Sequence, residues 1–159
     1  MSMVSILVAV SDDEIRQLHE TPKLLGNFVS IHGKRITADL EKTWHGIHWL
    51  LTGSAWEGEE PLCYLVSGGQ EVEGQDFGYG PPRTLSSGQV EAWDDALSRI
   101  SSEELGRRFH VKAMIAADIY PQIWEEADSL EYLMDGYQRL KDFVGNARRA
   151  GAGLLVYLG

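Results

Sequence analysis

Residues 4–14 read VSILVAVSDDE. Residues 4–10 form an apolar run of strand length, rich in β-branched side chains. Ser11 then opens SDDE, in which Ser11 caps a helix and Glu14 answers it from the third helical position. Asp12 and Asp13 suit the positive end of that helix, and Pro22 stops it. The far end of the chain mirrors this start: Gly151 and Gly153 close a helix, and LLVYL at 154–158 reads as a terminal strand. A lone strand is unstable in water, so the two terminal strands are expected to pair in one sheet under the helices between them. The predicted class is α+β: a small mixed sheet that includes the N- and C-terminal strands, packed against several helices.

Between the strands the pattern is mostly helical. A helix is predicted over 37–51, with Gly53 as its stop. SAWEGEEP follows as a loop, then a short apolar piece at 62–66. Five glycines and two prolines in residues 68–83, GGQEVEGQDFGYGPPR, forbid a long helix there and leave a loop with a short strand near 71–73. Ser86 with Gln89 is a second capping box, and Val90, Trp93, Leu97 and Ile100 make the stripe of the helix behind it. Short helices are expected after Ser101 and over 110–117. The last helix begins at Asp128 or Ser129, with Leu130, Leu133, Met134, Tyr137, Leu140 and Val144 on one side. The segment LLGNFVSIHGKR reads as a loop with a short helix or strand. Residues 1–159 are expected to form one domain.

The bulk numbers narrow the function classes. The chain has 43% hydrophobic and 24% charged residues and a formal net charge of −10. Nucleic acid and anionic membrane surfaces need a basic footprint, so neither is expected as a partner. The single cysteine, Cys63, lies in PLCYLV and reads as a buried structural thiol. The N-terminal residues carry no basic leader and no membrane-length apolar run, which makes the cytoplasm the expected location.

Three segments carry side chains with chemical potential. The first is residues 39–53, DLEKTWHGIHWLLTG. At about 100° per residue, Leu40, Trp44, Ile47 and Leu51 form the core stripe. Trp49 and His45 fall nearly opposite, with His48 and Thr52 on the border. Either both sides are buried, or an indole and two imidazoles line a cleft. Glu41, His45 and His48 share spacings of four and three, a pattern open to metal ligation. No HExxH, second ligand helix or Cys/His pair supports it, and the favoured reading is a half-buried histidine donating to a carbonyl or carboxylate. No metal or cofactor is expected. His48 also qualifies as a general acid/base, because histidine titrates near neutrality.

The second segment is DFGYGPPR at 76–83. The letters DFG occur in kinases, but no other kinase element is present, and no GK[ST] or helix-opening GxGxxG makes a phosphate loop. What remains is a loop presenting Tyr79 and Arg83, suited to an anionic or aromatic ligand. A surface turn with Arg83 paired to a carboxylate is the plainer alternative. The third segment, AADIYPQIWEEA at 116–127, offers Tyr120, Pro121 and Trp124 as an aromatic patch or as a cap on the core.

DLEKTWHGIHWLLTG, GYGPPRTLSSGQV, IYPQIW and the closing LKDFVGNARRAGAGLLVYLG together resemble the YfbM-like bacterial family, a domain of unknown function. The likeness spans nearly the whole chain. The family pattern matches Lys42, Trp44, His48, Thr52 and Gly53, and does not dependably place histidine at 45. The resemblance implies a single α+β domain and transfers no catalytic residue. The leading expectation is a non-catalytic binding or protein-interaction domain, of an inhibitor or immunity kind, acting on an unknown protein partner or small ligand as a monomer or small homo-oligomer. The alternative is a small enzyme or small-molecule-binding domain with a cleft between helix 37–52 and the 76–83 loop, drawing on His48, His45, Trp49, Thr52, Tyr79 and Arg83.

Overall fold

The two terminal strands pair along their whole length. In the computed structural model, which describes residues 2–29 and 35–159, β1 (Ser5–Val10) runs antiparallel to β5 (Gly153–Leu158). Ser5 faces Leu158 at one end and Val10 faces Gly153 at the other. β2 (Thr37–Asp39) flanks β1, while β4 (Arg83–Leu85) and β3 (Gln70–Glu71) extend the other side. The order is β2-β1-β5-β4-β3. The α+β class and the place of the terminal strands are as expected. In place of a mixture of directions, every described pairing is antiparallel. Among the described residues, no single-helix crossover, the connection that makes parallel neighbours, joins paired strands.

Both faces of the sheet are covered. Val8, Val10 and Leu155 pack with Leu18 of α1 (Asp12–Glu20) and with Leu25 and Phe28 of α2 (Leu25–Val29). The α2 segment resolves part of LLGNFVSIHGKR; residues 30–34 of it lie outside the described residues. On the opposite face, Leu7, Leu85, Leu154 and Val156 join the larger core. That core is built from α3 (Trp44–Thr52), α4 (Ser87–Ser98) and α7 (Ser129–Arg149), with α5 (Ser102–Arg107) and α6 (Val111–Ala116) at its margin. Both capping boxes form. Ser11 Oγ accepts from the Glu14 amide at 3.1 Å, and Ser86 Oγ accepts from the Gln89 amide at 3.2 Å.

The helix predicted over 37–51 begins later. Residues 37–39 are β2, a 3-10 turn spans Glu41–Thr43, and α3 starts at Trp44. Asp39 Oδ1 accepts from the Glu41 amide at 2.7 Å, and Glu41 takes a φ of 52°. This aspartate turn bends the chain out of the sheet before the helix can begin. Gly53, at a φ of 76°, ends α3 and donates its amide to the Trp49 carbonyl at 2.7 Å. Helices α3 and α7 touch closely where Gly46 meets Leu133. A Cβ on Gly46 would sit 2.6 Å from Leu133 Cδ2 and 2.8 Å from the Trp124 ring. Among the described residues, no helix is long and apolar enough to cross a membrane.

Candidate functional site

Helix α3 is buried on nearly every side, which answers the question its sequence poses. Leu40, Trp44, Ile47 and Leu51 lie in the core as the stripe predicts. His45 and His48 are buried as well. His45 Nδ1 accepts the Tyr120 amide at 2.9 Å, and its Nε2 lies 2.8 Å from the Ala55 carbonyl. A carbonyl only accepts, so Nε2 carries the proton and the ring is neutral. His45 thereby ties the loop after α3 to the loop after α6. Burial lowers its pKa below the ordinary histidine value.

His48 is held in the same manner. Its Nε2 donates to the Glu57 carbonyl at 3.0 Å and lies 3.3 Å from Thr52 Oγ1. Thr52 Oγ1 in turn donates to the His48 carbonyl at 2.9 Å. His48 Nδ1 is buried with no hydrogen-bond partner among the described residues. Burial pushes the His48 pKa down to about 4, and the charge of Arg83 adds to that lowering. Glu41 sits in the 3-10 turn outside α3, so the helical spacing that linked it to the two histidines does not apply. Among the described residues, no group of three or more His, Cys, Asp or Glu side chains is placed to hold a metal ion. Trp49 is half-buried against the core, and Cys63 is buried.

The 76–83 loop meets a different environment. Arg83 opens β4 opposite Val156 of β5 and Glu71 of β3. Its side chain is only 9% exposed. One terminal nitrogen donates to the Gly68 carbonyl at 2.9 Å and the other to the Tyr64 carbonyl at 2.8 Å. Those two bonds occupy part of the guanidinium fork. Among the described residues, no carboxylate lies within ion-pair distance of it. Desolvation pulls the Arg83 pKa down to about 10, so the group stays charged at neutral pH. The plainer expectation, Arg83 paired to a carboxylate on the surface, is not what the fold provides.

Arg83 lines a cavity of about 160 Å³ at the end of the sheet. Its lining also includes Tyr79 and Pro81 of the loop, Trp44 and Trp56, and Val156 and Tyr157 of β5, the Tyr157 ring itself lying against Phe77 and the smaller core. Trp56 is 59% exposed and stands at the rim. Its ring lies 4.3 Å from the His45 ring, which stacks on Trp44 at 4.9 Å. His45 therefore supports two cavity walls without lining the cavity.

The structure thus divides the sequence candidates. Tyr79 and Arg83 share the cavity, and helix α3 contributes Trp44 to it. His45, His48, Trp49 and Thr52 do not line it. Trp44 was assigned to the core alone, and it is also a wall. Trp56 was not singled out, although a tryptophan in the polar loop SAWEGEEP is a recognisable signal. In the third segment, Trp124 is core and donates its indole N–H to the Ile119 carbonyl at 2.8 Å. Tyr120 is half-buried, and its hydroxyl accepts the Met3 amide at 3.0 Å.

The chain matches a family described as a domain of unknown function, DUF1877, over residues 1–157. It is also similar to the crystal structure of YfbM from Escherichia coli, a protein of unknown function. The TM-score is 0.77 and the identity 21%, over 98% of this chain and 99% of that one. At that identity the likeness is one of fold. No curated protein matches the chain.

Proposed function

We propose that this chain, which belongs to the DUF1877 family, is a non-catalytic binding domain that takes a small anionic ligand in the cavity at Arg83. One observation carries the reading: a buried guanidinium that has no carboxylate within ion-pair distance among the described residues lines a cavity shared with Trp44, Trp56 and Tyr79. Burying a charge is costly unless something pairs with it. A bound anion would supply that pairing, and the rings around it would exclude water and strengthen the contact.

The alternative, an enzyme with His48 as acid/base and Arg83 as clamp, draws no support from this geometry. His48 is neutral, sealed behind the Glu57 carbonyl and absent from the cavity lining. The cavity offers recognition groups in place of a histidine poised near neutrality.

A thermal-shift screen of anionic, neutral and cationic fragments, run on the wild type and on Trp56→Ala, tests the reading. A fragment at about a hundredfold its Kd stabilises the folded state by about 2.7 kcal/mol. Anionic fragments are expected to raise the wild-type Tm and to raise that of the variant by clearly less. Stabilisation that is indifferent to Trp56, or none from any anion, would overturn it. Wild type stabilised instead by a host protein, with fragments inert, would favour a partner-binding surface over a small-ligand site.

A further inference from the structure

The size and chemistry of the Arg83 cavity narrow the ligand further, and this step rests on the binding reading above. The volume of about 160 Å³ is close to the roughly 150 Å³ of a protein cavity that holds one benzene ring. A nucleotide or a folded peptide segment does not fit in that space. Among the described residues that line the cavity, Arg83 is the one cationic side chain and Glu71 the one carboxylate. Glu71 stands across the β3–β4 ladder from Arg83 without forming an ion pair. A dianion such as phosphate would meet one cation and an opposing negative charge. A monoanion meets the same two groups but sets one negative charge, in place of two, against Glu71. The planar guanidinium fork matches a carboxylate in shape. Beside these two charges the lining includes Trp56, Tyr79 and Leu65, side chains able to hold an aromatic body.

We propose that the cavity binds a single-ring aromatic carboxylate, with the carboxylate on Arg83 and the ring against Trp56 and Tyr79. Glu71 then acts as a brake on affinity, because its charge opposes that of the ligand.

Calorimetric titration of the full chain with benzoate, benzamide and inorganic phosphate tests this. The same titrations are run on Trp56→Ala and Glu71→Gln, both at exposed positions, after their melting temperatures are shown to match the wild type. Benzoate is expected to bind, with the uncharged isostere benzamide weaker by about tenfold or more. Phosphate is expected to give no measurable heat. Trp56→Ala is expected to weaken benzoate by about tenfold, and Glu71→Gln to tighten it. Benzamide binding as well as benzoate, or Glu71→Gln weakening benzoate, would overturn the proposal. If phosphate binds in place of benzoate with the same dependence on Trp56, the ring-carboxylate assignment fails while the binding-domain reading stands. If no anion depends on Trp56, both fail.

Discussion

The histidine pair of α3 and the guanidinium of β4 are all buried polar groups, yet the fold treats them differently. His45 has both ring nitrogens occupied by backbone groups, and His48 has its protonated nitrogen on a carbonyl. Both are neutral, with pKa values pushed down by burial. Arg83 keeps its charge, spends part of its donors on two carbonyls and, among the described residues, has no ion-pair partner for the rest, which line an open space. The first arrangement cross-links loops. The second holds an unpaired charge in low dielectric, which is a poor way to gain stability and a good way to prepare a binding site. Residue type alone would have ranked them the other way, since histidine is the commoner functional residue.

If the histidines are structural, removing one should cost far more stability than removing a cavity wall. His45→Ala loses the bonds to Ala55 and Tyr120, the stacking on Trp44 and the tilted ring contact with Trp56. The expected loss is about 3 kcal/mol, read as a fall in Tm of about 9 °C. A fall of under about 1 °C would break the contrast.

Acid should expose the same region. Unfolded, His48 gains its proton near its ordinary pKa of 6.5; folded, it does so only near 4. Above the upper value both states are neutral and the fold keeps its full stability. As pH falls from 6.5 toward 4, only the unfolded state takes up the proton, so stability is lost across that window, by about 3 kcal/mol for His48. Urea melts of the wild type and of His48→Gln at several pH values check this. The variant should lack that part of the slope.

Close packing beneath the pair gives the next effect. Gly46→Ala places a methyl against Leu133 and Trp124 and should cost about 2 kcal/mol in denaturant melts. The smallest change belongs to the cavity. Trp56→Ala should alter stability by no more than about 0.5 kcal/mol, since the ring is mostly exposed, while it weakens benzoate binding by about tenfold.

Much of this fold was legible in the sequence because the signals were local. The apolar runs at both ends, the Ser11–Glu14 and Ser86–Gln89 boxes and the stripe of Val90, Trp93 and Leu97 each declare an element within a few residues. β2 was read as helix because three residues are too few to show alternation, and the turn at Asp39 depends on its side chain. β4 gives no strand signal in the sequence, because all three of its residues are buried and show no period of two. At the site, Tyr79 and Arg83 stood out by residue type in a glycine-rich loop. That Trp44, Trp56 and Tyr157 join them depends on the pairing of β4 with β5 and on the packing of α3, which no local window contains. The burial of His45 and His48 was equally invisible, since the loops that cover them come from residues 54–57 and 120.

The most direct test of the contrast is a ¹H–¹⁵N NMR titration of the isotopically labelled chain with benzoate. Saturable shifts are expected at the Trp56 indole N–H, the Gly80 amide and the Arg83 guanidinium, with the ring nitrogens of His48 unchanged and in the neutral form at pH 7. Shifts centred on His48 and Thr52, or a His48 ring that protonates near its ordinary pKa, would contradict it.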